Sequence, residues 1–327
     1  MTIKRLAITA GDPGGIGPEI IVRALASGEA REYCIPVVVG DRSVMEEAAA
    51  LAGLSVKLNE ITSPADAAAS AGIINLINMD RLVEFTKNRP SKEGGEACAS
   101  YIRKAVEIAL AREVDGIVTA PISKEALKMA GLPWPGHTEM LAELTGTMDY
   151  AMMLAGGPLR VILATIHTSL RSVPDLITEA RVLKTIRLAK KACDMLGISR
   201  PRIAVAGLNP HAGEAGMFGD EETASIIPAI EKAAGEGIQA SGPFPPDTIF
   251  NRAYKGAIDI VVCMYHDQGL IPLKMIAFDK GVNVTIGLPI IRTSPDHGTA
   301  YDIAWQGKAD PSSMIEAIKL AAGLNNL

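Results

Sequence analysis

Cysteine is scarce in this chain. Four occur among 327 residues, Cys34, Cys98, Cys193 and Cys263, and none pairs at a Cys-x-x-Cys spacing. Neither a thiolate metal site nor a disulfide framework is therefore encoded, and the four are expected as buried free thiols. No apolar run reaches the roughly 18 to 20 residues that a membrane span needs. The opening Met1-Thr2-Ile3-Lys4-Arg5-Leu6-Ala7-Ile8-Thr9 is too short in its apolar part for a secretory signal and runs straight into a glycine-rich turn. Blocks of like charge are missing as well. The formal net charge of -5 comes from interspersed acids and bases, which excludes the basic footprint of a nucleic-acid binder. No segment is low in complexity and no repeat recurs at a fixed period. Together these absences predict a cytoplasmic protein in a reducing compartment, with a small-molecule partner, no nucleic acid and no membrane.

What is present is apolar substance in short alternating runs. Hydrophobic residues make up 48% of the chain, enough for one large domain or two of ordinary size. Short β-branched runs (Arg5 to Thr9, Ile35 to Val39, Gly116 to Thr119, Ala151 to Leu154, Val161 to Thr165, Ile203 to Ala206, Ile258 to Cys263) alternate with Ala/Leu/Ile stretches punctuated by Lys and Glu. That is the pattern of an α/β protein whose parallel strands are covered by helices. Helices are predicted over Glu19 to Ala26, Val44 to Ala52, Glu93 to Ala111, Ser123 to Met129, Glu139 to Leu144, Leu176 to Met195, Glu221 to Ala234 and Ser312 to Ala322. Glycines and prolines gather in loops after strands, where open α/β sheets bind ligands.

Only five histidines occur, and each falls in a loop or at a strand end. His167 ends the strand from Val161, His211 follows the strand Ile203 to Ala206, and His266 follows the run ending at Cys263. A parallel sheet would bring these three to one rim. A single such histidine is more often a hydrogen-bonded loop residue, but three in equivalent positions favour a ligand set for a divalent metal, zinc or another borderline ion, with one coordination position left open. Asp247, Asp267 and Glu214 stand near them as orienting partners or proton acceptors; Asp247, in Pro245-Pro246-Asp247-Thr248, reads equally as a turn residue.

Anion contacts follow the same logic. His137 and Thr138 stand at a predicted helix start, and Lys274, Asn283 and Arg292 follow the His266 strand within a short span. A helix amino terminus with free N–H groups and an arginine fork suit phosphate or carboxylate, so a doubly anionic small substrate is expected; alone, Lys274 or Arg292 would be a solvated surface charge. The loop Gly11-Asp12-Pro13-Gly14-Gly15-Ile16-Gly17-Pro18-Glu19 lacks both the P-loop ending and the dinucleotide fingerprint. Instead, Asp296-His297-Gly298-Thr299-Ala300 and Asp302-Ile303-Ala304 resemble the nicotinamide-cofactor loop of isocitrate and isopropylmalate dehydrogenases. His297, Gly298, Thr299 and Asp302 are then the cofactor residues. A carboxylate at Asp302 would accept from ribose hydroxyls and repel a 2'-phosphate, which favours NAD over NADP.

In order along the chain, Gly11-Asp12-Pro13 through Pro18-Glu19, Gly136-His137-Thr138-Glu139, Asn209-Pro210-His211-Ala212-Gly213-Glu214, Pro246-Asp247-Thr248, Tyr265-His266-Asp267-Gln268-Gly269 and Asp296-His297-Gly298-Thr299-Ala300 resemble the 4-hydroxythreonine-4-phosphate dehydrogenase family, over nearly the whole chain. The resemblance implies an isocitrate/isopropylmalate dehydrogenase-like fold of two α/β domains with the active site in the cleft between them. Residues 1–125 with 280–327 would carry the cofactor loop, and residues 126–279 the metal ligands and dimer contacts. It implies a homodimer with shared active sites and one divalent ion (zinc, magnesium or cobalt) on His167, His211 and His266. His137, Thr138, Lys274, Asn283 and Arg292 would hold the phosphorylated substrate. The implied reaction, as in pyridoxal phosphate (pyridoxine) biosynthesis, is NAD oxidation of the secondary alcohol of 4-phosphooxy-threonine followed by decarboxylation of the β-keto acid, with Asp247, Asp267 or Lys274 taking the hydroxyl proton. Relatives acting on 4-phospho-D-threonate or 4-phospho-D-erythronate give the nearest alternative. A metal-dependent phosphate-ester hydrolase using the same histidines, and a non-catalytic ligand-binding module, are the rivals of other classes; the cofactor loop argues against the hydrolase.

Overall fold

A computed structural model describes residues 3–326; Met1, Thr2 and Leu327, which fall at the ends of the first expected domain, lie outside the described residues. The elements in chain order are β1 (Lys4–Thr9), α1 (Gly17–Ala26), β2 (Cys34–Gly40), α2 (Arg42–Leu51), β3 (Lys57–Glu60), β4 (Ile73–Asn78), α3 (Lys92–Leu110), β5 (Gly116–Thr119), α4 (Lys124–Met129), α5 (His137–Leu144), β6 (Ala151–Gly156), β7 (Leu159–Leu163), α6 (Val173–Leu176), α7 (Glu179–Met195), β8 (Ile203–Ala206), α8 (Ile227–Gly235), β9 (Ala240–Phe244), α9 (Pro246–Tyr254), β10 (Ile260–Cys263), α10 (His266–Ala277), β11 (Val282–Ile286), β12 (Arg292–Pro295) and α11 (Ser312–Gly323). The chain forms two compact units, one through Met148 and again over Leu288–Asn326, the other over Asp149–Gly287. Both are α/β, as expected.

In the first unit the strand order is β3-β4-β2-β1-β5-β12, and every pairing is parallel. Val37, Val38 and Val39 of β2 and Leu6, Ala7 and Ile8 of β1 are all fully buried, which is why these strands read as continuous apolar runs rather than alternating ones. Helix α3 starts where Ser91 Oγ accepts from the Gly94 amide at 3.0 Å, an N-cap worth roughly 1 kcal/mol. It packs so closely on α4 that a Cβ at Gly95 would stand 2.1 Å from the Ala126 carbonyl oxygen. No helix of the described residues is long and apolar enough to cross a membrane, and all four cysteines are buried free thiols.

The second unit runs β11-β6-β7-β10-β8-β9. Here the all-parallel expectation is corrected. β6 is antiparallel to both β7 and β11; for β6 and β7 the reason is the tight turn between Gly156 and Leu159, which leaves no room for the crossover helix that a parallel pair requires. The remaining pairings, β7 with β10, β10 with β8 and β8 with β9, are parallel. A core of Val161, Leu163, Val261, Cys263, Ile249, Leu270 and Leu273 packs α9 and α10 on this sheet, each large side chain contributing about 1.5–3 kcal/mol of burial.

Candidate functional site

The parallel pair β7 and β10 holds together beyond its regular ends. Ala164 donates to the Cys263 carbonyl at 2.8 Å and Thr165 to that of Met264 at 3.2 Å, while Thr165 Oγ1 adds a bond to the same Met264 oxygen at 2.7 Å. Two strands locked in register for two extra residues deliver His167 and His266 side by side, with ring centroids 5.7 Å apart. The two imidazoles line a pocket of about 540 Å³ together with Ile166, Ser169, Val173, Tyr265 and Asp267. His266 is also the first residue of α10. Its Nδ1 pairs with Asp267 Oδ1 at 2.6 Å, which fixes the ring and directs Nε2 away. Partial burial, then the Asp267 carboxylate, push the neighbouring Tyr265 phenol upward, so it stays protonated.

His211 lies beyond β8 in the turn Pro210–Gly216. Its Nδ1 meets Glu214 Oε2 at 3.0 Å, the same imidazole–carboxylate arrangement as at His266, and its ring is exposed, edge-on to Phe218. His211, Ala212, Gly213, Glu214 and Ala215 all have left-handed backbone, with φ of 53°, 56°, 84°, 43° and 56°. For the four that carry a Cβ this costs roughly 1 kcal/mol each or more, so the surrounding structure must impose it.

The fit to a metal can be judged from these groups. Two imidazoles on one tetrahedral ion place their ring centres roughly 5 Å apart, close to the His167–His266 spacing, and the paired Nδ1 of His266 leaves the correct nitrogen open. His211 is not gathered with them: among the described residues no set of three His, Cys, Asp or Glu side chains stands close enough to hold an ion. One chain thus offers a two-imidazole half-site with suitable chemistry and a third, separately oriented imidazole.

On the first unit a different chemistry is assembled. Arg292 opens β12 in register with Ile117 of β5 and is only 2% exposed. Its Nε and Nη2 both donate to Oγ1 of Thr119, the last residue of β5, at 3.2 and 2.7 Å. Burial lowers the guanidinium to about 10, with Glu139 opposing the shift; it remains a cation at neutral pH. His137 begins α5. Its Nε2 is buried without a hydrogen-bond partner, and burial, then the Arg292 charge, hold its pKa well below the usual range. A neutral imidazole, a buried guanidinium and the first turn of a helix form an anion-receptive group. Thr138 follows in the same turn.

The other expected residues are placed as follows. Lys274 is on α10, two turns beyond His266; no helix is predicted there from the sequence, and the correction is a continuous helix that absorbs Pro272 in its interior. Asn283 sits in β11 opposite Leu154, its Oδ1 buried and unpartnered. Asp247 stands exposed in the first turn of α9 rather than in an isolated turn. In the segment expected to hold the cofactor, His297, Gly298 and Asp302 are exposed, and the Thr299 carbonyl accepts from the Ile16 amide of the first loop at 3.0 Å. That contact belongs to a set the sequence did not reveal. Tyr301 donates to Asp12 Oδ2 at 2.6 Å, Trp305 Nε1 to the Pro13 carbonyl at 3.0 Å and Asn88 Nδ2 to the Ala304 carbonyl at 2.6 Å. Asp12 is buried, and desolvation raises its carboxyl against the bonds from Tyr301 and Gly14. The glycine-rich loop is therefore a seat for the segment that starts at His297.

Comparison with known proteins adds to this geometry. Residues 32–321 match the family described as Pyridoxal phosphate biosynthetic protein PdxA. The chain is 51% identical over 320 residues to a 4-hydroxythreonine-4-phosphate dehydrogenase of Desulforapulum autotrophicum, covering 97% of this chain and 94% of the relative. It is 48% identical to a D-threonate 4-phosphate dehydrogenase of Pectobacterium atrosepticum, covering 98% and 99%. The crystal structure of a 4-hydroxythreonine-4-phosphate dehydrogenase from Klebsiella pneumoniae superposes with a TM-score of 0.93 at 46% identity, over 98% of each chain. The resemblance carried by the loop motifs is borne out.

Proposed function

Because the chain belongs to the family of the pyridoxal phosphate biosynthetic protein PdxA, we propose that it oxidises the secondary alcohol of a 4-phosphorylated hydroxy acid, 4-phosphooxy-threonine, with NAD, and that the resulting β-keto acid loses carbon dioxide. The observation that carries this reading is the His167–His266 pair lining one pocket, with the Nδ1 of His266 taken by Asp267. A divalent ion (zinc, magnesium or cobalt) held by His167 and His266, with His211 contributed by a second copy of the chain, would supply Lewis acidity towards the substrate hydroxyl. An exposed apolar row on α10, Ile271 at 59%, Met275 at 83% and Phe278 just past its end at 74%, supports such a homodimer, because a monomer gains nothing by leaving it in water.

The residues divide the work. On the first unit Arg292 supplies fixed positive charge, while neutral His137 and the amides around Thr138 donate or accept without adding charge, which suits a phosphate. On the second, Lys274 and Asn283 are assigned substrate contacts. Of the three groups read as proton acceptors, Asp267 is engaged by His266 and so orients that ring, leaving Asp247 and Lys274 to receive the hydroxyl proton; NAD, when bound, would supply the hydride acceptor. His297, Gly298, Thr299 and Asp302 are assigned to the cofactor, Asp302 to its ribose, with NAD preferred over NADP.

A second reading has its own support in the relative named D-threonate 4-phosphate dehydrogenase, nearly as similar in sequence: 4-phospho-D-threonate or 4-phospho-D-erythronate as substrate. Initial rates of NADH formation on the three phosphorylated acids, with a divalent ion present, decide between them. Release of inorganic phosphate with no NADH from any of the three would instead establish the hydrolase.

A further inference from the structure

The strained turn carrying His211 is held by a side chain that is not among those lining the pocket of His167 and His266. Glu222 is 2% exposed. Its Oε1 accepts from the adjacent amides of Leu208 and Asn209 at 2.7 and 2.8 Å, and its Oε2 from Asn209 Nδ2 at 3.0 Å. No space surrounds it: a Cβ at Gly213 would stand 2.7 Å from Oε2 and one at Gly207 3.0 Å from Oε1. Three hydrogen bonds to one buried carboxylate are charge-assisted and directional, so they fix the peptide planes from which the turn departs.

The same loop is gripped from the other side. Gln268, also buried, accepts from the Met264 amide at 2.7 Å through Oε1 and donates to the Gly207 carbonyl at 2.7 Å through Nε2. Gln268 lies in the first turn of α10, which His266 opens, and the Gly207 carbonyl it holds belongs to the same peptide whose Leu208 amide Glu222 holds. A continuous chain of hydrogen bonds therefore runs from the start of α10 through Gln268, Gly207 and the half-buried Leu208–Asn209 to Glu222.

We propose that Glu222 and Gln268 are positioning residues: they set the His211 turn in its left-handed form and anchor it to the second unit, so that the imidazole this chain offers to a second copy's ion is held in one orientation. This rests on the reading of His211 and His266 as metal ligands. Neither side chain is among those lining the pocket of His167 and His266, and the part they play is geometric.

The test uses the full-length protein loaded with Co(II), whose visible absorption reports ligand geometry independently of turnover. Histidine-orienting groups typically change metal affinity by roughly 10- to 100-fold, and a loss in that range with an altered spectrum is expected for Glu222→Ala, alongside faster exchange of the Leu208 and Asn209 amides. Glu222→Gln, whose amide oxygen can still accept from both amides, should recover most of the affinity. His211→Ala is run beside them. If His211→Ala loses cobalt while Glu222→Ala keeps wild-type affinity and spectrum, the positioning role is overturned and the ligand reading stands. Should His211→Ala retain wild-type affinity, the ligand reading falls and takes this inference with it. Where Glu222→Ala does not fold, Gln268→Met carries the same test, being close in volume and unable to bond Gly207.

Discussion

Removing one hydroxyl should disturb both the stability and the substrate affinity of the first unit. In Thr119→Val the side chain keeps its volume and its β-branch in β5, but the acceptor shared by Nε and Nη2 of Arg292 disappears. Both residues are almost fully buried, so water does not replace the lost bonds. A hydrogen bond to a charged group contributes about 1.5–3 kcal/mol net, and a buried charged donor that loses its acceptor costs at the upper end of that range. We expect a loss of about 2–3 kcal/mol, which in a unit of this size lowers the melting temperature by roughly 4–12 °C. A guanidinium freed from Thr119 also spends less of its time in one orientation; a penalty of about 1.4 kcal/mol on an anionic substrate would raise KM tenfold. Thermal unfolding and initial-rate kinetics on the same preparation measure both, with Thr119→Ser as the variant that should restore them. An unchanged melting temperature together with an unchanged KM in Thr119→Val would show that Arg292 is held by other contacts and that the Thr119 bonds are incidental.

Other expectations follow from the site. His137 is held well below its ordinary pKa of 6.5 by burial and Arg292, so the folded state resists the proton that the unfolded chain accepts; stability is full above about pH 6.5 and falls as the pH drops below it, by at most about 1.4 kcal/mol per unit. Denaturant titrations from neutral to mildly acidic pH should show this slope in the wild type and a shallower one in His137→Asn. Asp267→Asn removes the negative partner of the His266 Nδ1 proton, and equilibrium dialysis against zinc should register roughly 10- to 100-fold weaker retention; equal retention would dissociate Asp267 from the metal half-site. Tyr301→Phe cuts the bond to Asp12 that seats the cofactor segment; NAD should show a KM several-fold higher while the KM for the phosphorylated acid stays put, and a change confined to the acid would refute the assignment.

How much of this was legible beforehand depends on the kind of signal each feature leaves. β1, β2, β5, β8 and β10 were visible because buried parallel strands are unbroken apolar runs, such as Val37-Val38-Val39. β3 (Lys-Leu-Asn-Glu) and β12 (Arg-Thr-Ser-Pro) were not: the first is a polar edge strand, and the second is buried through Arg292 and its neighbours rather than through apolar content. α10 was hidden by Pro272, which local rules read as a break, although the packing of Leu270 and Leu273 carries the helix through it. The five histidines announced themselves by rarity, and His167, His211 and His266 also by their places after strands. Their partners did so unequally: Asp267 and Glu214 are near in sequence, whereas Thr119 stands 173 residues from Arg292 and Tyr301 stands 289 from Asp12. Pairings at that separation leave no periodicity to read, and only the folded chain brings them together.

The left-handed turn at His211 has a consequence for heritable variation. At Ala212 and Ala215 a change to glycine would relieve backbone crowding, the reverse of the usual penalty for glycine in ordered structure. The same change widens the range of shapes the turn visits. Variants selected for heat tolerance and variants selected for a precisely aimed imidazole should therefore diverge at these two positions.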